Sequence, residues 1–334
     1  MLDKKNIFII GAGSWGTTIA HHLIKLNHDV SLCYKNQNKA NYMIDKNKLN
    51  ELNFSRKINY IKIRNNKIEN ISSADVICIA VPSNEIRNIR NLLPLNSKAI
   101  ILNLSKGIEI DSLKTISQIL SEKNFIDKQF ISTLSGPTHA EEILFEIPSA
   151  IVVSSYNPKT SKMIQKIFNG NKLRVYNNDD MIGVELGGSL KNIIAIASGI
   201  SDGLGFGDNT KAAIVTRGCK EITNLSVKMG AKKSTFSGLS GIGDLMVTCF
   251  SNHSRNRFVG EKIGKGENIK NIIDEMSMVS EGIYTTKAVY KLTKKFKIEL
   301  PICESVYNIL FKNLNPLEAV KNLINRDLSN ELPL

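Results

Sequence analysis

Short, continuous runs of apolar residues alternate with helical lengths of chain through residues 1–180. Such runs are typical of strands that are buried on both faces of a parallel sheet. The stretches 17–26 and 113–120 have the apolar spacing of helices. The pattern predicts an α/β domain with a doubly wound, mostly parallel sheet. Its predicted strands are 7–10, 29–34, 75–81, 99–104, 130–134 and 150–154.

The pattern changes after residue 180, where strand-like runs become hard to find. The segment 184–201 is long, rich in small residues and helical in its apolar period, and 211–229 is a second long helical candidate. Further helical stretches follow at 269–276, 285–293 and 302–311. We therefore predict an α/β domain over residues 1–180 and an all-α domain over residues 181–334.

Composition supports a packed globular protein, because 42% of the 334 residues are hydrophobic and 22% are charged. The formal net charge of +13 is compatible with a nucleic-acid or membrane-surface protein, with anionic ligands, or with codon bias. Lysine, asparagine and isoleucine are abundant throughout, and no block of five or six like charges occurs. We favour compositional bias, with anionic ligands as the second interpretation.

The five cysteines are scattered singly, and no Cys-x-x-Cys pair occurs. This pattern is typical of buried thiols in a reducing cytoplasm, and it favours neither a disulfide framework nor a metal site. Lys4 and Lys5 precede the apolar run 7–10, but the run is too short for a signal peptide and leads directly into a glycine loop. No run approaches about 18 apolar residues, so we expect a cytoplasmic protein without a membrane span.

The segment 11–16, GAGSWG, fits the pattern G-x-G-x-x-G. It follows an apolar strand and opens a helix, which is the context of a dinucleotide-binding turn rather than of a plain glycine turn. Gly11 would permit the tight turn, Gly13 would let the backbone approach a pyrophosphate, and Gly16 would let helix and strand pack closely. The N-terminal N–H groups of the helix would face the phosphates.

The end of the second predicted strand indicates which dinucleotide binds. NAD sites usually have an Asp or Glu there, about 20 residues after the glycines, to bond the ribose 2′-hydroxyl. This chain reads Cys-Tyr-Lys-Asn at 33–36, without a carboxylate. Lys35 would attract a 2′-phosphate, so NADPH is the favoured cofactor and NAD the alternative. The alternative is that Lys35 is a solvated loop charge.

These motifs and others resemble those of the bacterial NAD(P)-dependent glycerol-3-phosphate dehydrogenases over nearly the full length of the chain. The motifs that carry the resemblance are GAGSWGTTIA at 11–20, AVPS at 80–83, SKGIE at 105–109, SGPTHAEE at 135–142, ELGGSLKNIIAIASGISDGLGFGDNTKAAIVTRG at 185–218, TFSGLSGIGDLMVTCFSNHSRNRFVG at 235–260, EGIYTTKAV at 281–289 and LPI at 300–302. Only the stretch 38–70 matches poorly.

The resemblance implies a Rossmann domain followed by a helical domain, usually in a homodimer, with the active site between the domains. It implies interconversion of dihydroxyacetone phosphate and sn-glycerol 3-phosphate, which supplies phospholipid synthesis. The alternatives are a related two-domain hydroxyacid dehydrogenase and a non-catalytic NADPH sensor. A nucleic-acid partner is not expected, because the sequence has no zinc motif, basic-aromatic stripe or clustered charge.

The resemblance also assigns the cofactor site. Ser14 and Trp15 lie inside the glycine loop, and core packing is the alternative role for the tryptophan. Ala140 would border the cofactor, and Val279 and Glu281 would lie near the nicotinamide or its ribose. The residues expected to bind the cofactor are Gly11, Gly13, Ser14, Trp15, Gly16, Lys35, Lys106, Ala140, Arg255, Val279 and Glu281.

Lys106 follows the predicted strand 99–104, at the sheet edge where open α/β sheets bind ligands. An ammonium there can contact an anion, and the resemblance places Lys106 on both cofactor and substrate. Gly136 and Thr138 lie at the next such turn and would meet the substrate. The family often has Ser-Phe where this chain has Thr138-His139. We interpret His139 as a peripheral helix residue rather than a general acid.

Lys191 is the predicted catalytic residue, because it lies in a helix of small and apolar residues where a free surface charge is not expected. A lysine that snorkels to solvent is the alternative. Reduction of the C2 carbonyl creates an alkoxide, which an ammonium would stabilise and protonate. An ordinary lysine pKa of about 10.4 is too high for the reverse step at neutral pH. Burial and a second cation such as Lys106 would lower it.

Two further segments complete the predicted substrate site. The resemblance implies that Asp244 lies in the substrate site, where it would bond substrate hydroxyls and orient Lys191; a helix N-cap is its alternative role. Ser254, Arg255 and Asn256 form the predicted phosphate-binding cluster, because arginine offers a bidentate fork to phosphate oxygens and its neighbours add neutral donors.

Overall fold

The computed structural model describes residues 3–35, 58–94, 98–275, 280–328 and 330–331. Residues 38–57 of the poorly matching stretch and the predicted cofactor residue Val279 lie outside the described residues.

The described part of the N-terminal region forms an eight-stranded sheet with strand order β3-β2-β1-β4-β5-β6-β7-β8. The strands are β1 Asn6–Ile10, β2 Asp29–Tyr34, β3 Asn59–Lys62, β4 Val76–Ile79, β5 Ile100–Asn103, β6 Ile131–Ser135, β7 Ser149–Ser155 and β8 Leu173–Asn178. Every neighbouring pair is parallel except β6 and β7. The prediction of a mostly parallel, doubly wound sheet is therefore confirmed.

The strand order reverses between β1 and β4, and ligands bind at the carboxyl ends of strands at such a switch point. Two apolar cores cover the faces of the sheet, and successive residues of β1 contribute to them alternately, Ile7 and Ile9 to one and Phe8 and Ile10 to the other. The helices of this region are α1 Ser14–Lys25, α2 Ile86–Arg90, α3 Ile116–Leu120, α4 Ala140–Leu144 and α5 Pro158–Phe168.

The structure differs from the sequence prediction most clearly at two strands and at the start of one helix. The strands β3 and β8 were not predicted, because both are edge strands in which exposed polar residues interrupt the apolar pattern. The predicted helix 113–120 begins only at Ile116. Leu113 has a left-handed backbone with φ of 59°, and the Thr115 side chain forms a capping box with Gln118.

The region after residue 180 is helical throughout its described residues. Its helices are α6 Met181–Gly203, α7 Asp208–Lys228, α8 Asp244–Phe250, α9 Arg255–Gly264, α10 Ile269–Glu275, α11 Glu281–Phe296, α12 Pro301–Lys312 and α13 Pro316–Ile324. The prediction of an α/β region followed by an all-α region is confirmed. The boundary at 180 stays a prediction, although β8 ends at Asn178 and α6 begins at Met181.

Helix α6 is the central element of the helical region. Its most apolar 18-residue window is long and apolar enough to cross a membrane, but 89% of that window is buried, as expected for the core helix of a folded domain. Small residues bring α9 against it: a Cβ atom at Gly199 would lie 1.9 Å from the Arg257 carbonyl oxygen, and one at Gly260 would lie 2.1 Å from that of Ile196. This backbone-to-backbone crossing fixes the start of α9 relative to α6.

Candidate active site

The glycine turn lies between β1 and α1, at the switch point of the sheet. Gly11 has φ of +115°, and a Cβ atom there would lie 2.3 Å from the Ala80 carbonyl oxygen. A Cβ atom at Gly16 would lie 2.0 Å from the Gly11 carbonyl oxygen, whereas one at Gly13 would meet no described atom within 4 Å. Gly11 and Gly16 are thus required by packing, and Gly13 leaves the helix N-terminus open.

The residues around this turn occupy the predicted positions. Ser14 is the first residue of α1, and Trp15 is half-buried against the core beneath the sheet. Lys35 follows β2 at the carboxyl edge of the sheet. Its side chain is 55% exposed, and its Nζ lies 3.6 Å from Glu85 Oε2. An ammonium this exposed remains available to an anion.

A buried lysine–carboxylate centre lies where α6 and α8 meet. Lys191 Nζ donates hydrogen bonds to Asp244 Oδ1 and, over 2.7 Å, to Thr248 Oγ1. Lys106 reaches the second carboxylate oxygen from the loop after β5, with 2.8 Å between its Nζ and Asp244 Oδ2. Asp244 is fully buried and Lys191 is 5% exposed, whereas the Lys106 side chain is 23% exposed. The centre therefore opens to solvent on the Lys106 side.

Burial is the largest influence on the protonation of Lys191. Burial and the neighbouring Lys106 lower the pKa of its ammonium, the Asp244 carboxylate raises it, and the balance leaves the pKa at about 7. One carboxylate is shared by two ammonium groups, so neither cation is fully neutralised. The result is a group that both donates and accepts a proton at neutral pH.

The predicted phosphate cluster lies at the start of α9. Ser254 is the N-cap of this helix, and its Oγ accepts the Arg257 N–H over 3.2 Å. Arg255 is the first helical residue; burial lowers the pKa of its guanidinium, and the carboxylates of Glu281 and Glu141 oppose that effect.

The side chain of Asn256 is engaged within the helical region. Its Nδ2 donates to Asn192 Oδ1 over 3.0 Å. Its Oδ1 accepts hydrogen bonds from Ser280 Oγ and the Gly282 N–H, at 2.6 and 2.9 Å. Asn256 thus connects α6 to the start of α11. These contacts hold the two helices together, and the contact with substrate stays a prediction.

Glu281 connects the helical region to the sheet edge. It is the first residue of α11, and its carboxylate accepts hydrogen bonds from the Ser83 N–H at 3.3 Å and Ser83 Oγ at 2.8 Å. Burial raises the pKa of Glu281. Since Ser83 follows β4, this contact places Glu281 beside the crevice where a dinucleotide would lie.

The turn after β6 carries the remaining predicted residues. Gly136 has φ of +151°, and a Cβ atom there would lie 3.1 Å from Ile151 Cα. Thr138 Oγ1 donates to the Gly136 carbonyl over 3.2 Å, and Ala140 is the first residue of α4. His139, the N-cap of α4, lies with its ring centroid 5.5 Å from that of His253. Burial, followed by the charge of Lys191, lowers the pKa of His139, so its imidazole is neutral at pH 7.

Sequence reasoning missed two polar residues of this site. Thr248 lies four residues after Asp244 on α8, so helical spacing alone places both on one face. Asn192, the neighbour of Lys191, holds Asn256 through a contact between residues 64 apart in sequence, and no local pattern indicates it.

A dinucleotide-type glycine turn at a switch point, together with a buried lysine from a helical region, defines a nicotinamide-dependent dehydrogenase of the two-domain type. Two family models match the chain: the NAD-dependent glycerol-3-phosphate dehydrogenase N-terminus over residues 6–161 and the corresponding C-terminus over residues 180–321. The chain belongs to the NAD-dependent glycerol-3-phosphate dehydrogenase family.

Curated relatives and solved structures agree with this assignment. The chain is 45% identical over 331 residues to the glycerol-3-phosphate dehydrogenase [NAD(P)+] of Thermoanaerobacter sp. (strain X514), covering 98% of each protein. It is 43% identical over 333 residues to that of Fusobacterium nucleatum, again covering 98% of each. The crystal structure of glycerol-3-phosphate dehydrogenase from Coxiella burnetii superposes with a TM-score of 0.87 at 35% identity, covering 97% of this chain and 99% of that one.

Proposed function

We propose that this chain catalyses reversible hydride transfer between NADPH or NADH and C2 of dihydroxyacetone phosphate, as an NAD(P)-dependent sn-glycerol-3-phosphate dehydrogenase. The observation that carries the proposal is the buried Lys191–Asp244 pair with Lys106 on its open side. Such a centre supplies an acid and a second cation to one small anionic substrate.

The glycine turn fits the pyrophosphate of a dinucleotide. A Cβ atom at Gly13 would meet no described atom within 4 Å, and Gly13 is the N-cap of α1, where backbone N–H groups favour an anion. When bound, the reduced nicotinamide supplies the hydride. Ser14, Trp15 and Ala140 are proposed to line this site, and Val279 is retained from the sequence prediction. The exposed ammonium of Lys35 supports a preference for NADPH.

Lys191 is proposed to protonate the C2 oxygen during reduction and to accept the hydroxyl proton during oxidation. An ammonium has three N–H donors, and Lys191 directs one to Asp244 and one to Thr248. Among the described residues, no acceptor takes the third N–H, which is proposed to bond the substrate oxygen. Asp244 stabilises the charged form, and Thr248 donates in turn to the Asp244 backbone carbonyl over 2.6 Å, so the acceptors of the lysine are held in place.

The substrate phosphate is proposed to bind between the sheet edge and the start of α9. Arg255 offers a bidentate fork, and Ser254 and Asn256 lie beside it at the N-terminus of α9, where backbone N–H groups favour an anion. Lys106, in the loop after β5, is proposed to contact the substrate as a second cation. Gly136 and Thr138, on the turn after β6, are proposed to contact the remainder of the substrate.

We further propose that the protein acts in the cytoplasm as a homodimer and that its product feeds phospholipid synthesis. The family resemblance supports these statements, as do the five free thiols expected in a reducing compartment. No nucleic-acid partner and no integral membrane association are proposed.

The test is to mix the purified protein with NADPH and dihydroxyacetone phosphate and to follow the loss of reduced-nicotinamide absorbance. We expect turnover that requires the phosphorylated ketone and falls by about 100-fold or more in Lys191→Ala. Lys98→Ala, a substitution at the opposite end of β5, is the matched control and is expected to retain activity. Full activity in Lys191→Ala would overturn the assigned acid. Folded protein that binds NADPH without turning over this substrate would favour a related hydroxyacid dehydrogenase or a sensor.

A further inference from the structure

Glu185 is a buried acidic side chain on α6, six residues before Lys191. It is 6% exposed, and its carboxyl group contacts the α/β region. Its Oε1 accepts the Ser117 N–H over 2.9 Å, and its Oε2 accepts Ser117 Oγ over 2.5 Å. Ser117 lies in the first turn of α3, so this carboxyl group bridges the α/β region and the helix that carries Lys191.

Asn103 extends the bridge toward the active site. This residue ends β5, and its Nδ2 lies 3.4 Å from Glu185 Oε1, the longest of the three polar contacts of this nitrogen. The same amide holds both backbone groups of Ser105: Oδ1 accepts the Ser105 N–H at 2.9 Å, and Nδ2 donates to the Ser105 carbonyl at 3.1 Å. Ser105 immediately precedes Lys106, so Asn103 transmits the position of Glu185 to the backbone of that lysine.

The residue on the other side of Lys106 is attached to the same helix. The Gly107 N–H donates to Ser189 Oγ over 2.8 Å, and Ser189 Oγ donates to the Glu185 backbone carbonyl over 2.7 Å. Both neighbours of Lys106 are therefore attached to one turn of α6. Ser105 is attached through Asn103, and Gly107 is bonded directly to Ser189. The aliphatic part of the Lys106 side chain also packs against this turn, because a Cβ atom at Gly188 would lie 3.5 Å from Lys106 Cδ.

We propose that Glu185 is a positioning residue for the reaction: it fixes the Lys106 loop on α6, so that Lys106 and Lys191 share the Asp244 carboxylate. This inference rests on the proposed function. A displacement of the order of 1 Å in a group that contacts the substrate can lower the rate by about 100-fold. Contacts that hold the loop of Lys106 in place should therefore affect the rate of the reaction.

Glu221 provides a matched control. It is also a buried glutamate of a long helix, 8% exposed, and its carboxylate accepts two backbone N–H groups, those of Ile302 at 2.8 Å and Cys303 at 3.1 Å. These partners lie at the start of α12, within the helical region. Loss of Glu221 should therefore weaken the fold as loss of Glu185 does, but without releasing a substrate-binding loop.

The experiment compares Glu185→Ala, Glu185→Gln, Glu221→Ala and Glu221→Gln in the full-length protein, with folding verified by circular dichroism. We expect Glu185→Ala to lower kcat/KM for dihydroxyacetone phosphate by about 10- to 100-fold. Glu185→Gln keeps an oxygen acceptor and the side-chain volume, so it should restore most of that loss. Both Glu221 variants should retain the kcat/KM of the unaltered protein at temperatures where they are folded.

The pH profile gives a readout that loss of stability alone would not change. Oxidation of glycerol 3-phosphate needs neutral Lys191, so its rate rises with pH through the pKa of that lysine. Lys106 lowers this pKa. When the loop is released in Glu185→Ala, the rising limb should therefore move to higher pH, and in Glu221→Ala it should stay in place. Asn103→Ala tests the same path from the sheet side and should reproduce both effects.

Two failures are distinguishable. If the unaltered protein does not turn over dihydroxyacetone phosphate, the proposed function is wrong. The second failure is that the unaltered protein is active, and folded Glu185→Ala and Asn103→Ala have the same kcat/KM and the same pH dependence of oxidation. These variants would then behave like the Glu221 variants. Glu185 would be only a structural acid, and the inference would be overturned.

Discussion

The substitution Asp244→Asn tests whether one buried carboxylate sets the protonation state of Lys191. Burial lowers the pKa of the lysine and Asp244 raises it, to a balance of about 7. Two unit charges about 4 Å apart interact by about 4 kcal/mol at an effective dielectric constant of 20. That energy corresponds to about three pKa units. Asparagine keeps the shape but removes the charge, so Lys191 should be largely neutral at pH 7 in the variant.

The expected result follows from the direction of proton transfer. Reduction of dihydroxyacetone phosphate needs protonated Lys191, so its rate falls as the pH rises through the pKa of this group. In Asp244→Asn that limb should move to lower pH, opposite to the shift expected for oxidation in Glu185→Ala. At pH 7 the loss of the acid should lower kcat by about 100-fold or more. The assay is a pH series of initial rates with saturating NADPH.

Stability must be measured in parallel, because removing one partner of a buried ion pair costs about 3–5 kcal/mol. Rates are therefore compared only below the melting transition of the variant. Thr248→Val is the control: it removes one hydrogen bond to Lys191 but leaves the carboxylate, so the pH limb should move little. The electrostatic account of Lys191 would be refuted if Asp244→Asn had the same pH dependence of reduction as the unaltered protein and a rate within about threefold of it.

Three further predictions address the cofactor site and the fold. Lys35→Glu should lower kcat/KM for NADPH by about 10-fold or more while sparing NADH, and an unchanged ratio would remove Lys35 from the cofactor site. Gly13→Ala should fold normally but lose affinity for NADPH, whereas Gly16→Ala should lower the melting temperature, because its Cβ would meet the Gly11 carbonyl oxygen. Burial lowers the pKa of His21 to about 4, so its neutral form stabilises the fold above pH 6.5. That contribution to the free energy of unfolding, about 3 kcal/mol, should be lost as the pH falls toward 4. The measurement compares the free energies of unfolding of the unaltered protein and of His21→Gln at pH 7.5 and 4.5, and the same difference at both pH values would contradict the prediction.

Features that depend on local spacing could be predicted from the sequence. The strand, glycine turn and start of α1 are adjacent in the chain, so the order of residues alone specifies the turn at 11–16. Buried central strands were found because both faces are covered and the apolar runs are continuous. The edge strands β3 and β8 were missed for the opposite reason, since each exposes much of its surface and resembles a polar loop in sequence.

Contacts between distant segments could not be predicted in the same way. Lys191 and Asp244 are 53 residues apart, and nothing in their spacing pairs them. The apolar context of its helix indicated Lys191, and the family resemblance indicated Asp244. Glu185 contacts the loop of Lys106 through Asn103, which is 82 residues away in sequence, and no motif indicates this contact. In both cases the polar groups are buried, so each must find a partner, but which partner it finds depends on the packing of α6 against the sheet.

The charge arrangement of the site shows why net charge was a poor guide to the ligand. The protein carries a formal charge of +13, yet the three cations assigned to the site, Lys106, Lys191 and Arg255, lie near carboxylates that offset them, chiefly Asp244 and Glu281. The local excess is therefore small, and it varies with the protonation of Lys191, whose pKa is about 7. A phosphorylated ketone would then be bound by directed donors at short range rather than by the field of the whole molecule. It follows that added salt should weaken substrate binding only modestly, because buried pairs are screened much less than exposed charges.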